Sequence, residues 1–166
     1  VLITGAPGVG KTSIAIEAIR KYCQSEKYYS KCISYKEASL LSDLNSNLVN
    51  GEDYVILVDD VNRVKNIGQI IGFQNSCRDG KIKLVLTVRN YTKDKIYDIL
   101  ADTSFETVDI DRMSDENIIE LVKLNRGINN DEYLKKIASI ACGNPRLAMM
   151  AATVAIKEQT LSSLSN

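Results

Sequence analysis

The sequence has no histidine. That excludes a Ser-His or Cys-His nucleophile, and it leaves only cysteines and carboxylates from which to build a zinc site. Cysteines stand at 23, 32, 77 and 142, with no pair at C-x-x-C spacing, so neither a zinc ribbon nor a dithiol redox motif is written here. They read as buried, reduced thiols of a cytoplasmic protein. There is no excess of either charge, because 21 Lys and Arg face 21 Asp and Glu. No net field draws in nucleic acid or an anionic membrane, which argues against nucleic acid as this segment's main partner and leaves room only for a local basic patch. Long hydrophobic runs are missing too. The longest mostly apolar stretch, "LAMMAATVAI" at 147–156, is too short to span a bilayer, and no signal peptide is visible, so no membrane partner is expected. The chain opens within an apolar strand pattern and without Met, and is expected to be a segment of something longer.

What is present is an ordinary globular composition. Hydrophobic residues make up 45% of 166 residues, enough for one domain or one domain with a small appendage. Strand and helix patterns alternate. "VLIT" (1–4) feeds a Gly-rich loop. Ala15, Ala18, Ile19 and Tyr22 then share one helical face. "KCISY" (31–35) is a weak strand candidate, and Leu40, Leu41, Leu44 and Leu48 fit a helix. "YVILVDD" (54–60) has the near-continuous β-branched run of a strand covered on both faces. Ile67, Ile70, Ile71 and Gln74 predict a helix closed by "RDG" (78–80). "KIKLVLTV" (81–88), a short helix from Asp94 to Leu100, and "FETVDI" (105–110) follow.

After Met113 only helical patterns remain. Ser114 can cap a helix with Asp115 and Glu116 in its first turn and Ile118, Leu121 and Val122 inside. Tyr133, Leu134, Ile137, Ala138 and Ala141 form another stripe, stopped by Cys142-Gly143-Asn144-Pro145. The last helix, from Arg146, is apolar nearly all round and reads as buried. The expectation is an α/β, doubly wound parallel sheet over residues 1–112, followed by a helical lid subdomain over 113–166.

"GAPGVGKT", Gly5 to Thr12, fits G-x-x-x-x-G-K-[ST] at every fixed position. Gly5, Gly8 and Gly10 permit backbone angles that let the loop wrap with its N–H groups inward, toward a phosphate. The stretch Gly5, Ala6, Pro7, Gly8, Val9, Gly10, Lys11, Thr12 and Ser13 is therefore the candidate nucleotide-binding segment. Lys11 offers an ammonium to the β- and γ-phosphates, Thr12 a hydroxyl to Mg²⁺, and the helix that follows an N-terminus to the anion. A dinucleotide-type turn does not fit, because Ser13 stands where a third glycine is needed.

"VILVDD" puts Asp59 and Asp60 at the C-terminal end of a buried strand, the edge where ligands lie in such sheets. Asp59 would hold Mg²⁺ and Asp60 would orient or deprotonate an attacking water. An acidic pair can also simply begin a loop. Asp60 is shorter than a Glu in the same place, which fits slow hydrolysis. "LVLTVRN" ends its strand on Thr87, Val88 and Arg89, and Arg89 either meets a γ-phosphate or is a solvated strand-end arginine. "CGNPRLA" (142–148) is explained locally by a Gly stop and a Pro start. A functional account would add that Pro145 and Arg146 face the nucleotide.

In this order, "GAPGVGKT", "VILVDDV", "LVLTVRN" and "GNPRLA" resemble the STAND class of signalling P-loop NTPases, relatives of the AAA+ ATPases. That class includes the modules of NACHT and plant-resistance type proteins and of bacterial antiviral sensors, and "GNPRLA" with its Ala-rich helix looks most like the bacterial ones. The resemblance covers nearly the whole chain. It implies a 5-1-4-3-2 sheet, ATP and ADP with Mg²⁺ as ligands, and a slow ATPase acting as a switch. It also implies flanking effector and sensor domains in the same chain and a homo-oligomer in the ATP-bound form. Arg89 matches the family's first sensor arginine. Pro145 matches the G-x-P proline that packs near adenine, and Arg146 lies where AAA+ proteins often have a second sensor. Two other functions stay open: an AAA+ motor or replication-initiator ATPase, and a small-molecule kinase. The kinase fits less well, since only Arg112, at the edge of the helical segment, and Arg126 and Arg146 within it could furnish an arginine-rich lid.

Overall fold

The structure, a computed structural model, describes residues 1–33, 40–76 and 80–157. Five strands form one sheet: β1 (Leu2–Gly5), β2 (Tyr29–Ile33), β3 (Tyr54–Val58), β4 (Ile82–Arg89) and β5 (Thr107–Ile110). Their spatial order is β2-β3-β4-β1-β5, the expected 5-1-4-3-2 order seen from the opposite edge. β1 runs parallel to β4, β4 to β3 and β3 to β2. The helices α1 (Lys11–Glu26), α2 (Leu40–Asn47), α3 (Ile67–Ser76) and α4 (Lys93–Ile99) connect them, and α5 (Asp115–Arg126), α6 (Asp131–Ala141) and α7 (Pro145–Lys157) follow. Among the described residues, no helix is long and apolar enough to cross a membrane.

The chain divides into two compact units. The first comprises Val1–Gly5 and Lys11–Asp109, the second Ala6–Gly10 and Ile110–Asn166. In the first, every residue of β1 and of β3 is buried. Leu2, Ile56, Val58, Leu86 and Val88 of the central strands pack with Val61, Ile70, Ile96 and Leu100 into one core. Burial on both sides is what makes β3 a continuous apolar run. The outer strands differ, because β2 and β5 are largely exposed. β5 is fastened to β1 by Leu2 N–H donating to Glu106 O at 2.7 Å and by the buried Thr4 hydroxyl donating to Asp109.

In the second unit, Ile118, Val122, Leu134, Ile137, Ala141, Ala148 and Ala152 form a separate core. Ser114 caps α5 through the Asn117 N–H, and Asn130 caps α6 through the N–H groups of Glu132 and Tyr133. Two sequence expectations change. The last helix is not buried all round: Ala148 and Ala152 are enclosed, while Leu147, Met150 and Val154 are 46%, 56% and 53% exposed. Small residues four apart let one stripe of α7 approach its neighbours, and a three-helix cluster covers only that stripe. The thiols are not all buried either. Cys32 lies on exposed β2 and Cys142 in the turn after α6, both exposed, and Cys23 is half-buried. Cys77 lies outside the described residues, as do Ser34 and Tyr35 of the "KCISY" strand and Arg78 and Asp79 of "RDG".

Candidate functional site

The first unit gathers its polar chemistry at the C-terminal ends of β1, β3 and β4. Register brings this about: Gly5, the last residue of β1, lies opposite Arg89, the last of β4, and Val58 of β3 lies opposite Leu86. Lys11, at the start of α1, is only 7% exposed, and its ammonium donates to the Gly5 carbonyl at 2.9 Å. Burial pushes the Lys11 ammonium below its usual range; the Asp60 carboxylate opposes that shift, and Arg89 adds to it.

Asp59 accepts two hydroxyl hydrogen bonds on one oxygen. Thr12 Oγ1 donates to Asp59 Oδ1 at 2.6 Å, and Thr87 Oγ1 donates to the same atom at 2.8 Å. Thr87, 1% exposed, also accepts from the Asp60 N–H at 2.8 Å. One buried threonine thus fixes both consecutive aspartates. The sequence marks it only as a strand-end residue, although a threonine inside the apolar run "LVLTV" is a visible signal. Asp60 itself has φ 52° and ψ 52°, in the left-handed region, which Asp tolerates better than most residues through local hydrogen bonding.

Asp60 faces Arg89. Arg89 Nε donates to Asp60 Oδ1 at 3.0 Å and Nη2 to Oδ2 at 2.6 Å, a two-pronged pair. The guanidinium beside Asp60 holds its carboxyl below the usual carboxylate range. In turn the carboxylate, and next the Tyr91 hydroxyl at 3.3 Å, raise Arg89 further. The oxygen donors of Thr12 and Asp59, a hydroxyl and a carboxylate oxygen 2.6 Å apart, are of the hard type that suits Mg²⁺. Among the described residues, no group of three or more His, Cys, Asp or Glu side chains is placed to hold a metal ion.

The second unit holds Ala6–Gly10, the middle of the loop, together with the turn at 142–146. Gly8 and Gly10 have φ of +82° and +99°, angles that favour glycine. Asn144 Nδ2 donates to Pro7 O at 2.9 Å, while Asn144 Oδ1 accepts from the N–H groups of Arg146 and Leu147 at 3.1 and 3.2 Å. Pro145 is the first residue of α7, where its fixed φ suits a helix start. The Arg146 N–H also reaches Gly8 O at 3.4 Å, and its side chain is exposed. Gly143, at φ +74°, is hemmed in, since a Cβ there would lie 2.5 Å from Met113 O and 2.8 Å from Arg112 Cβ. Met113 N–H donates to Gly143 O at 2.9 Å and Arg112 Nη1 to Cys142 O at 3.2 Å. The turn is thus fastened to residues 112–113.

Residues 1–138 match the model of the family described as novel STAND NTPase 3. The chain belongs to that family of STAND NTPases. Among curated proteins none matches. Among solved structures, this STAND NTPase is similar to the RuvB Holliday junction branch migration motor of Thermotoga maritima, at 18% identity and TM-score 0.69 over 98% of this chain and 55% of that one. It is similar also to the Aeropyrum pernix ORC2 protein in its ADP form, at 12% identity and TM-score 0.67, over 98% of this chain and 58% of that one. A third match is the A. pernix ORC1 protein in complex with DNA, at 14% identity and TM-score 0.68, over 95% and 55%. At these identities the likeness is one of fold, and the chain spans little more than half the length of each of these proteins. Family and fold together support a nucleotide-binding module of the STAND NTPase family.

Proposed function

We propose that this module binds ATP and ADP with Mg²⁺, hydrolyses ATP slowly, and serves as the switch of a STAND-type signalling or antiviral defence protein whose nucleotide state controls homo-oligomerisation. In this reading Gly5, Ala6, Pro7, Gly8, Val9, Gly10, Lys11, Thr12 and Ser13 receive the phosphates. Thr12 and Asp59 hold Mg²⁺, which neutralises phosphate charge when bound. Asp60 orients and deprotonates water, and Arg89 meets the γ-phosphate. The helical segment 113–166, with Pro145 and Arg146 at the start of α7, reads which nucleotide is held. Flanking effector and sensor domains of the same chain act on that reading, in the cytoplasm.

The observation that supports this best is the Asp60–Arg89 pair. An arginine engaged by a carboxylate can be drawn off by a γ-phosphate, and a diphosphate has no such group to compete with. When Arg89 turns to the phosphate, Asp60 loses the cation that holds its carboxyl low and becomes a better proton acceptor. Recognition of ATP and readying of the base are then one event. A second support is that the loop residues Ala6–Gly10 share a compact unit with the helices, so a ligand gripped by the loop is felt there.

Titration of the protein with MgATP and with MgADP, followed by single-turnover hydrolysis, tests the reading. Tighter binding of MgATP with slow turnover is expected. Failure to bind either nucleotide would remove it. Rapid turnover with strongly salt-dependent DNA binding would instead favour a motor or an initiator-type ATPase.

A further inference from the structure

Asn144 lies outside the phosphate-loop motif, yet its side chain works in two directions. The oxygen end caps α7 by accepting from the N–H groups of Arg146 and Leu147. The nitrogen end donates to the carbonyl of Pro7 at 2.9 Å. The partners themselves fix which end is which: two donors lie on one side and a carbonyl on the other. Next along the loop, Gly8 O accepts from the Arg146 N–H at 3.4 Å. Two successive loop carbonyls therefore point at the first turn of α7.

The peptide group is planar, and no peptide bond described here is cis. In a trans peptide the C=O of one residue and the N–H of the next point in opposite directions. Holding Pro7 O toward α7 turns the Gly8 N–H away from it, and holding Gly8 O does the same to the Val9 N–H. Two consecutive N–H groups aimed to one side make a nest for an anion. Position 8 shows how tightly this is built. A Cβ on Gly8 would lie 2.7 Å from Asn144 Oδ1 and 2.9 Å from Nδ2, so the glycine leaves the space that the asparagine fills.

We infer that Asn144 is a positioning residue for nucleotide binding: it sets the phosphate loop from behind, by gripping the Pro7 carbonyl, so that the Gly8 and Val9 N–H groups stand ready for phosphate. This rests on the proposed nucleotide site. The effect is on the phosphate nest common to ADP and ATP, so both ligands feel it, unlike the ATP-selective role of Arg89.

Asn144→Asp separates the grip from the cap. The carboxylate still accepts from Arg146 and Leu147, but it has no N–H for Pro7 O and sets an anionic oxygen against a carbonyl oxygen, two acceptors with no proton between them. Affinity for MgADP and for MgATP should both fall roughly tenfold, the scale of one hydrogen bond and a repulsive contact. The thermal midpoint measured without nucleotide should stay close to that of the wild type. Asn144→Ser, which caps but is too short to reach Pro7, should behave alike if the aspartate variant folds poorly. Wild-type affinity in folded Asn144→Asp or Asn144→Ser would overturn the inference alone. Wild-type protein that binds no MgADP would overturn the nucleotide-site reading and the inference with it.

Discussion

Arg89 and Asp60 grip each other with both prongs of the guanidinium on both oxygens of the carboxylate. Arg89 ends β4, and Asp60 lies in the turn two residues past the end of its neighbour β3, where its N–H is held by Thr87 of β4. Arg89→Ala should therefore erase any preference for ATP over ADP, because the group that distinguishes them is gone, while leaving MgADP affinity nearly intact. Calorimetric titration with both nucleotides measures this. A preference that survives would free Arg89 from the sensing role.

Asp60→Asn keeps the size of the side chain and removes the base. Hydrolysis should slow by about a hundredfold or more, the usual contribution of a positioned proton acceptor, with ATP affinity within a few-fold of wild type. An unchanged single-turnover rate would mean that water is activated elsewhere.

Lys11 is buried and bonded to Gly5 O, so it is aimed before any ligand arrives. Lys11→Ala should weaken ATP and ADP binding by about 1.5–3 kcal/mol, the scale of a charge-assisted hydrogen bond. Undiminished affinity would detach the loop from the phosphates.

The Asp60–Arg89 pair also makes a prediction about acid. The folded chain holds the Asp60 carboxyl below its usual range, so the unfolded chain binds that proton more readily. Its stabilising contribution is complete above the unfolded value, about 4, and is lost as pH falls through the lowered folded value. Asp60→Asn should therefore flatten the acid limb of the stability curve below about pH 4. Circular dichroism across that range checks it, and superimposable acid limbs would contradict it.

Gly143→Ala meets two obstacles at once, a left-handed φ of +74° and Met113 O at 2.5 Å from the new Cβ. A loss of more than about 1 kcal/mol is expected, detectable as a lowered denaturant midpoint. Gly10, by contrast, has nothing within 4 Å of where a Cβ would stand, so Gly10→Ala should suffer only the strain of its φ.

Much of this is legible in the sequence, for physical reasons that differ by region. The phosphate loop needs fixed residue types at fixed spacing, and β3 needs an apolar run because both its faces are covered, so both can be read directly. The alternation of strand and helix patterns points to the sheet, and the resemblance supplies its strand order. The partnerships are harder. Asp60 and Arg89 each have a role on paper, but their mutual bond depends on which strands become neighbours and in what register. "CGNPRLA" offers a complete local explanation, a Gly stop and a Pro start, and that sufficiency hides the asparagine between them. Its bond to Pro7 spans 137 residues, beyond the reach of any window on the sequence. The solvent-facing side of α7 escapes for a related reason, since an apolar composition does not say how many neighbours a helix will find.

The strand order has a consequence for how the molecule is made. Leu2 of β1 lies opposite Leu86 of β4, and β1's other neighbour, β5, comes later still. Of the five strands, the one that leads into the phosphate loop is synthesised before both its partners and waits for them. Such distant pairings form late, because a long loop must close before they stabilise anything. A nascent chain ending before β4 would contain the whole "GAPGVGKT" motif and lack both strands that flank β1 in the sheet. The motif is thus complete in sequence well before the sheet that carries it can be complete in space.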